Sequence, residues 1–179
     1  MGYKEEFKES IENPELFWRK KAELIKWYEF PETILSKDKN GFYQWFKGGK
    51  LNTSYLLLDY HVENGRANQV ALIYDSPVTE SKRKFSYKEL LGEVEKFAGV
   101  LRSKGVEKGD RVIIYMPMIP EAVIGMLACA RLGAIHSVVF GGFAPKELAI
   151  RIDDAKPKIL ITASCGIEFT NVIEYKPLV

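Results

Sequence analysis

The sequence predicts an α/β fold: an aromatic-rich helical N-terminal extension, then the first parallel strand–helix units of a sheet that is left incomplete. Three observations predict it. The apolar runs Arg111-Val112-Ile113-Ile114-Tyr115 and Ile135–Phe140 are continuous rather than alternating, as strands covered on both faces require. Each is followed by a segment of helical length that opens on a proline, Pro120 or Pro145. Ahead of both, Ser86-Tyr87-Lys88-Glu89 has the spacing of a capping box, in which the serine oxygen takes a free helix N–H and the glutamate reaches back to the cap residue.

In chain order, Asn13-Pro14-Glu15 starts a helix with a capping side chain and a proline in the first turn. Phe17, Trp18, Leu24, Ile25, Trp27, Tyr28 and Phe30 crowd this stretch, which is expected to stay helical until Pro31 forbids it. Lys47-Gly48-Gly49-Lys50 breaks the chain, and 52–61 reads as a further helix carrying Tyr55, Leu56, Leu58 and Asp59. These elements make a first part, residues 1–64. The second part, residues 65–179, opens on a strand-like run, Val70-Ala71-Leu72-Ile73-Tyr74, and a turn at Pro77 to Ser81. Behind the capping box, Leu90, Leu91, Val94, Phe97, Ala98 and Leu101 recur at helical spacing until Gly105. Helices follow from Pro120 to Leu132-Gly133 and from Pro145 to Ala155, with a last strand at 158–162. Strands alternating with helices of this length imply parallel pairing through right-handed crossovers. A sheet that stops there leaves an open edge, so the sequence reads as a fragment.

Composition narrows the function classes. Hydrophobic residues make up 46% and charged residues 28% of 179, and 26 basic against 24 acidic residues leave a net charge of +2. Acids and bases are interleaved, as in Lys4-Glu5-Glu6, which describes a solvated face and not the one-sided basic stripe of a nucleic-acid binder. The most apolar stretch, 112–140, contains Pro117, Pro120, Glu121, Arg131 and His136, so no membrane span is expected. With no secretory core and with acids at Glu5, Glu6 and Glu9, the expected location is cytoplasmic. Cys129 and Cys165 match no metal spacing, and with two histidines a metal site is not expected; both read as reduced thiols.

The residues alone show no catalytic constellation. Neither a Walker-type loop nor a G-x-G-x-x-G follows a strand. Gly141-Gly142, after the second apolar run, lies where an open α/β sheet collects ligands, with a helix N-terminus close behind it to favour an anion. A tight turn that needs glycine explains the same pair. His136, inside an apolar strand, reads as a core or supporting histidine, and His61, beside Asp59, as a capping residue. Asp153-Asp154 beside Arg151 read as a surface ion pair, because adjacent helical positions point in different directions.

Longer segments carry a resemblance. Trp45-Phe46-Lys47-Gly48-Gly49-Lys50-Leu51-Asn52 and Asp59-Tyr60-His61-Val62 resemble the N-terminal extension of acetyl- and propionyl-CoA synthetases. Ala71-Leu72-Ile73-Tyr74-Asp75-Ser76-Pro77-Val78-Thr79 is similar to the propionate branch. Pro117-Met118-Ile119-Pro120-Glu121, and the run from Ala130 to Phe143, resemble the opening of the family's AMP-binding, adenylate-forming domain. The aromatic extension argues against a long-chain or aryl ligase of the same superfamily.

The resemblance implies an enzyme that uses ATP and magnesium to join a short-chain carboxylate to CoA. A carboxylate is a poor electrophile, so its oxygen attacks the α-phosphate of ATP and releases pyrophosphate; the CoA thiol then attacks the carbonyl of the acyl-adenylate. It implies no catalytic or metal residue within these 179 positions, because the phosphate loop, acyl pocket and adenylation lysine of the family lie downstream. For the chain alone it implies no ligase activity; a non-catalytic nucleotide- or partner-binding short product is the alternative. What it does imply is part of a CoA site: Phe140, Gly141 and Gly142 against the adenine, and Glu168, Phe169, Thr170 and Asn171 in the loop facing the CoA phosphates. Three positions depart from the family. Asn171 and Tyr60 stand where it usually has arginine, and Glu168 where it often does, though the propionate branch shares that glutamate. Asparagine can donate one neutral hydrogen bond where arginine offers a charged, bidentate contact.

Overall fold

The computed structural model describes residues 2–141, 144–168 and 170–179, in two compact units, Met1–Leu51 and Asn52–Val179.

In the first unit, α1 (Tyr3–Glu12) and α2 (Pro14–Ala22) meet at Asn13, whose side chain makes no capping bond; the proline at the first position of α2 suffices to start it. The helix does not run on to Pro31 as the aromatic run suggested. It stops at Ala22, where the Trp27 indole N–H donates to the last carbonyl at 2.8 Å. Two strands that the sequence did not announce follow, β1 (Thr33–Lys37) and β2 (Tyr43–Lys47), paired antiparallel. Their turn is shaped by Asp38, whose carboxylate accepts from the N–H groups of Asn40 and Phe42. The aromatics serve this hairpin rather than a long helix: Trp18 meets Trp45 edge-on at 5.8 Å, and Trp27 meets Phe46 at 5.6 Å.

The second unit opens with a helical segment from residue 53 that coils in a wide π turn at Tyr55–Asp59 and is broken at Asn64 and Gly65, the latter at φ 82°. Asn52 starts it by accepting the Tyr55 N–H, while its amide donates to the carbonyls of Ala130 and Arg131. An antiparallel pair follows, β3 (Val70–Ser76) and β4 (Ser81–Ser86), the second of which is too charged to announce itself as a strand. Ser86 and Glu89 then form the expected capping box at the head of α3 (Tyr87–Ser103).

The remaining order is β5 (Arg111–Met116), α4 (Pro120–Leu132), β6 (Ile135–Phe140), α5 (Pro145–Ala155) and β7 (Ile159–Thr162). The three strands form a parallel sheet in the order β6-β5-β7. Period-two alternation sends the central strand into two cores. Val112 joins Leu90, Val94, Leu101 and Ala128, while Ile113 and Tyr115 join Val139, Leu148 and Tyr175. In place of an abrupt end after β7, the chain makes a further hairpin, β8 (Cys165–Glu168) and β9 (Asn171–Glu174), and one 3-10 turn.

Candidate functional site

Because β5, β6 and β7 run parallel, their carboxyl ends share one edge of the sheet, where the backbone leaves the strands and exposes unpaired groups. Met118 and Ile119 beyond β5, Phe140 and Gly141 at the end of β6, and the stretch from Ala163 to Glu168 beyond β7 converge there on a cleft of about 450 Å³. Tyr74, Ser76 and Thr79 complete it from the β3–β4 hairpin, and Tyr175 from the chain after β9. The lining is aromatic and aliphatic, dotted with hydroxyls. Among the described residues it includes no lysine, arginine or histidine, and Glu168 is its single charge.

Of the seven expected CoA-site residues, the structure brings Phe140, Gly141 and Glu168 together on this cleft. Phe140 lines the cleft and is 58% exposed. Gly141 is buried, and its glycine identity comes from crowding: a Cβ there would stand 2.7 Å from the Met116 carbonyl oxygen and would collide with the Tyr175 hydroxyl. Gly142 and Phe169 lie outside the described residues. Thr170 and Asn171 are exposed at the tip of the β8–β9 hairpin, Asn171 in register with Glu168, and neither lines the cleft.

Tyr175 is the feature the sequence did not reveal. It is 3% exposed, its ring lies 4.9 Å from that of Tyr115, and its N–H donates to the Ser164 carbonyl at 3.0 Å. Burial, then the neighbouring Tyr115, Glu168 and Cys165, push its phenol pKa upward, so the hydroxyl stays protonated. No local pattern marks a tyrosine between a short strand and a Lys-Pro turn; its position follows from tertiary packing alone.

Other candidates resolve differently. His136 is exposed on β6, not a core histidine, though partial desolvation holds its pKa below the usual value. His61 makes no cap; it lies 4.7 Å from the Tyr87 ring, while Asp59 pairs with Arg131. Arg151 pairs with Glu147 one turn away, and Asp153 and Asp154 are exposed. Both cysteines are free thiols. Cys129 is buried and pushed up to about 11 by desolvation, whereas Cys165 is half-buried on the cleft. Among the described residues no group of three or more His, Cys, Asp and Glu is placed to hold a metal, and no helix is long and apolar enough to cross a membrane.

Comparison with known proteins gives these elements relatives. Residues 58–177 match the family model described as AMP-binding enzyme, and residues 3–57 match acetyl-coenzyme A synthetase N-terminus. The chain is 55% identical over 177 residues to acyl-CoA synthetase short-chain family member 3, mitochondrial, of Bos taurus, covering 99% of this chain and 26% of that protein. It is 47% identical over 173 residues to an acetyl-coenzyme A synthetase of Magnetococcus marinus, covering 96% of this chain and 27% of that one. An acetoacetyl-CoA synthetase from Streptomyces lividans superposes with a TM-score of 0.89 at 26% identity, over 99% of this chain and 27% of its own length. The chain thus spans roughly a quarter of the length of the relatives it matches.

Proposed function

The chain belongs to the AMP-binding enzyme family, among its short-chain acyl-CoA synthetases, and on that premise we propose that it forms the CoA-side wall of a propionate- or acetate-activating ligase. The reaction is ATP plus a short-chain carboxylate plus CoA to acyl-CoA, AMP and pyrophosphate. The observation that carries this reading is the cleft at the carboxyl ends of β5, β6 and β7, where Phe140, Gly141 and Glu168 converge. Its lining suits one part of the ligand. An exposed aromatic ring and several hydroxyls, with no cation among the described lining residues, favour an uncharged heterocycle such as the CoA adenine over a phosphate. The CoA phosphates then fall toward the hairpin tip, where Thr170 and Asn171 offer neutral hydrogen bonds only.

The chemistry is assigned to the longer protein. ATP supplies the activation of the carboxylate and CoA the accepting thiol; these 179 residues hold and orient the thiol's carrier, and no proton-transfer or metal role is assigned to them. Propionate is favoured over acetate by the resemblance of residues 71–79 and by Glu168, which the propionate branch shares. A cytoplasmic or mitochondrial-matrix location accords with the bacterial and mitochondrial relatives.

The test begins with the intact mass of the native protein captured by an antibody against this chain. A mass several times 20.4 kDa, with carboxylate-dependent ATP–pyrophosphate exchange and a higher kcat/KM for propionate than for acetate, is expected. Acyl-adenylate formation by the isolated 179-residue chain sinks the assignment of the chemistry to the longer protein. A native mass near 20.4 kDa replaces the ligase with a non-catalytic binding product.

A further inference from the structure

The two walls of the cleft come from different supersecondary units. Phe140 ends β6 of the parallel sheet and Gly141 follows it, whereas Cys165, Gly166, Ile167 and Glu168 belong to the antiparallel β8–β9 hairpin. Among the described residues the parallel sheet is joined as β6-β5-β7 and the hairpin forms a separate two-stranded sheet, with no ladder of backbone hydrogen bonds shared between the walls. Beyond the two-residue link from β7 to β8, side-chain packing joins them.

We infer that Tyr175 is the positioning residue that fastens these walls together and sets the width of the cleft. Its hydroxyl reaches the backbone of both walls: a Cβ on Gly141 or on Gly166 would collide with it. At Gly166 the crowding extends along the ring, with Tyr175 Cζ at 2.8 Å and Cε1 at 3.1 Å from the site of a Cβ. Two glycines, on β8 and just beyond β6, therefore admit one phenol between them. The ring also meets that of Tyr115 on the central strand, 4.9 Å away and tilted by 35°, and the Tyr175 N–H is tied to the Ser164 carbonyl, so the residue is held at its backbone and at its ring. A side chain pinned in this way transmits the position of β5 to both walls.

The role of the cleft in this inference rests on the reading that it receives CoA; the wall-fastening itself does not. Two readouts separate them. The first is alkylation of Cys165 by iodoacetamide in the protein as recovered from its source. Cys165 lines the cleft, while Cys129 is buried with its thiol raised to about 11 and serves as an internal control. Tyr175→Ala is expected to speed Cys165 alkylation roughly tenfold with Cys129 still protected, and Tyr175→Phe, which keeps the ring, to recover most of the protection. The second is steady-state kinetics of the ligase. Tyr175→Ala is expected to raise the KM for CoA by about tenfold, with kcat and the KM values for ATP and carboxylate changed less than about twofold, and Tyr175→Phe to restore most of the loss.

A Tyr175→Ala protein that alkylates Cys165 and Cys129 together, or whose kinetic constants all decline with its Tm, overturns the inference in favour of a general packing role. A Tyr175→Phe protein that keeps Cys165 protected yet has a KM for CoA as high as that of Tyr175→Ala overturns it too, since the hydroxyl would then be binding ligand directly and not setting the cleft. A wild-type protein without CoA ligase activity defeats the proposed function, while the alkylation arm still decides whether Tyr175 fastens the walls.

Discussion

Arg131 and Asp59, separated by 72 residues in sequence, form a forked ion pair in which one guanidinium nitrogen of Arg131 donates to both carboxylate oxygens at 3.0 and 2.8 Å. The second nitrogen donates to Glu95 on α3 at 3.0 Å, so a single arginine at the end of α4 joins the π-helical segment and α3. Asn52 reinforces the junction through the carbonyls of Ala130 and Arg131. The pair is mostly buried, with side-chain exposures of 27% and 17%, so it escapes much of the screening that makes surface pairs nearly worthless.

Removing Asp59 takes one carboxylate from the Arg131 guanidinium, which keeps its bond to Glu95, and Asp59→Ala is expected to destabilise the second unit by about 2 kcal/mol. A double-mutant cycle with Arg131→Ala should return a coupling energy of about 1–2 kcal/mol, read from urea midpoints followed by far-UV circular dichroism. Strict additivity of the two single changes would show that the pair contributes nothing beyond its separate parts.

The capping box of α3 gives the fold an acid sensitivity that can be assigned to one residue. Glu89 accepts from the Ser86 N–H and from the Ser86 hydroxyl, both at 2.8 Å, and these bonds, the backbone one first, hold its carboxyl below its ordinary value of 4.5. A carboxyl whose pKa is depressed by folding stabilises the fold fully above its unfolded value, and that contribution disappears as the pH falls through the lower folded value. Glu89→Gln is therefore expected to lower the urea midpoint at neutral pH and to converge on wild type well below pH 4.5. A gap of constant size across that range would assign the loss to something other than the carboxylate charge.

Gly49 and Gly125 are predicted to respond to alanine in opposite directions. A Cβ at Gly49 would lie 2.8 Å from the Trp27 ring, 2.9 Å from Pro31 and 3.0 Å from the Phe46 carbonyl, and Trp27 is tethered through its indole N–H to Ala22. Gly49→Ala should therefore cost about 2 kcal/mol by overpacking. At Gly125, inside α4, the nearest atom is Ile114 Cδ1 at an ordinary 3.4 Å, so alanine is expected to be neutral or to gain up to about 1 kcal/mol of helix propensity. Trp18, Trp27 and Trp45 all belong to the first unit, which makes the measurement selective: Gly49→Ala should shift the tryptophan-emission midpoint, and Gly125→Ala should leave it in place.

The parts of the fold that were legible in the sequence are those in which local signals and tertiary packing agree. α3 to β7 is such a stretch: a capping box, proline starts, a glycine stop at Gly133 and continuous apolar strands all ask for the structure that forms. The first unit was misread because its aromatics fit a helix or a strand equally well by local preference, and the choice falls to Trp27 and Phe46, whose contact exists only in three dimensions. β4 was hidden because Lys82, Arg83 and Lys84 face water, and β8 and β9 because four-residue strands are too short to show a period. In the candidate site, Gly141 was legible from its place after a strand, and Phe140 through the family resemblance alone. Tyr175 was not, because its role depends on two glycines, one on β8 and one just beyond β6.

The departure at Asn171 makes the last prediction. Asn171 stands exposed at the hairpin tip in register with Glu168, so the loop assigned to the CoA phosphates carries one negative charge and no positive one among its described residues. On the proposed function, this loop contributes neutral hydrogen bonds and some repulsion to a strongly anionic ligand. Asn171→Arg places a guanidinium there, able to donate to a phosphate in two directions at once and to offset Glu168 across the strand pair. In the full-length ligase it should lower the KM for CoA by roughly three- to tenfold, with kcat and the KM for ATP unmoved. The gain should shrink with added salt, because the site is exposed and screened, and Asn171→Gln, similar in polarity but uncharged, should show none of it. An arginine without effect on the KM for CoA at low salt would mean that the hairpin tip does not face the CoA phosphates, and their contacts would have to be sought elsewhere in the longer protein.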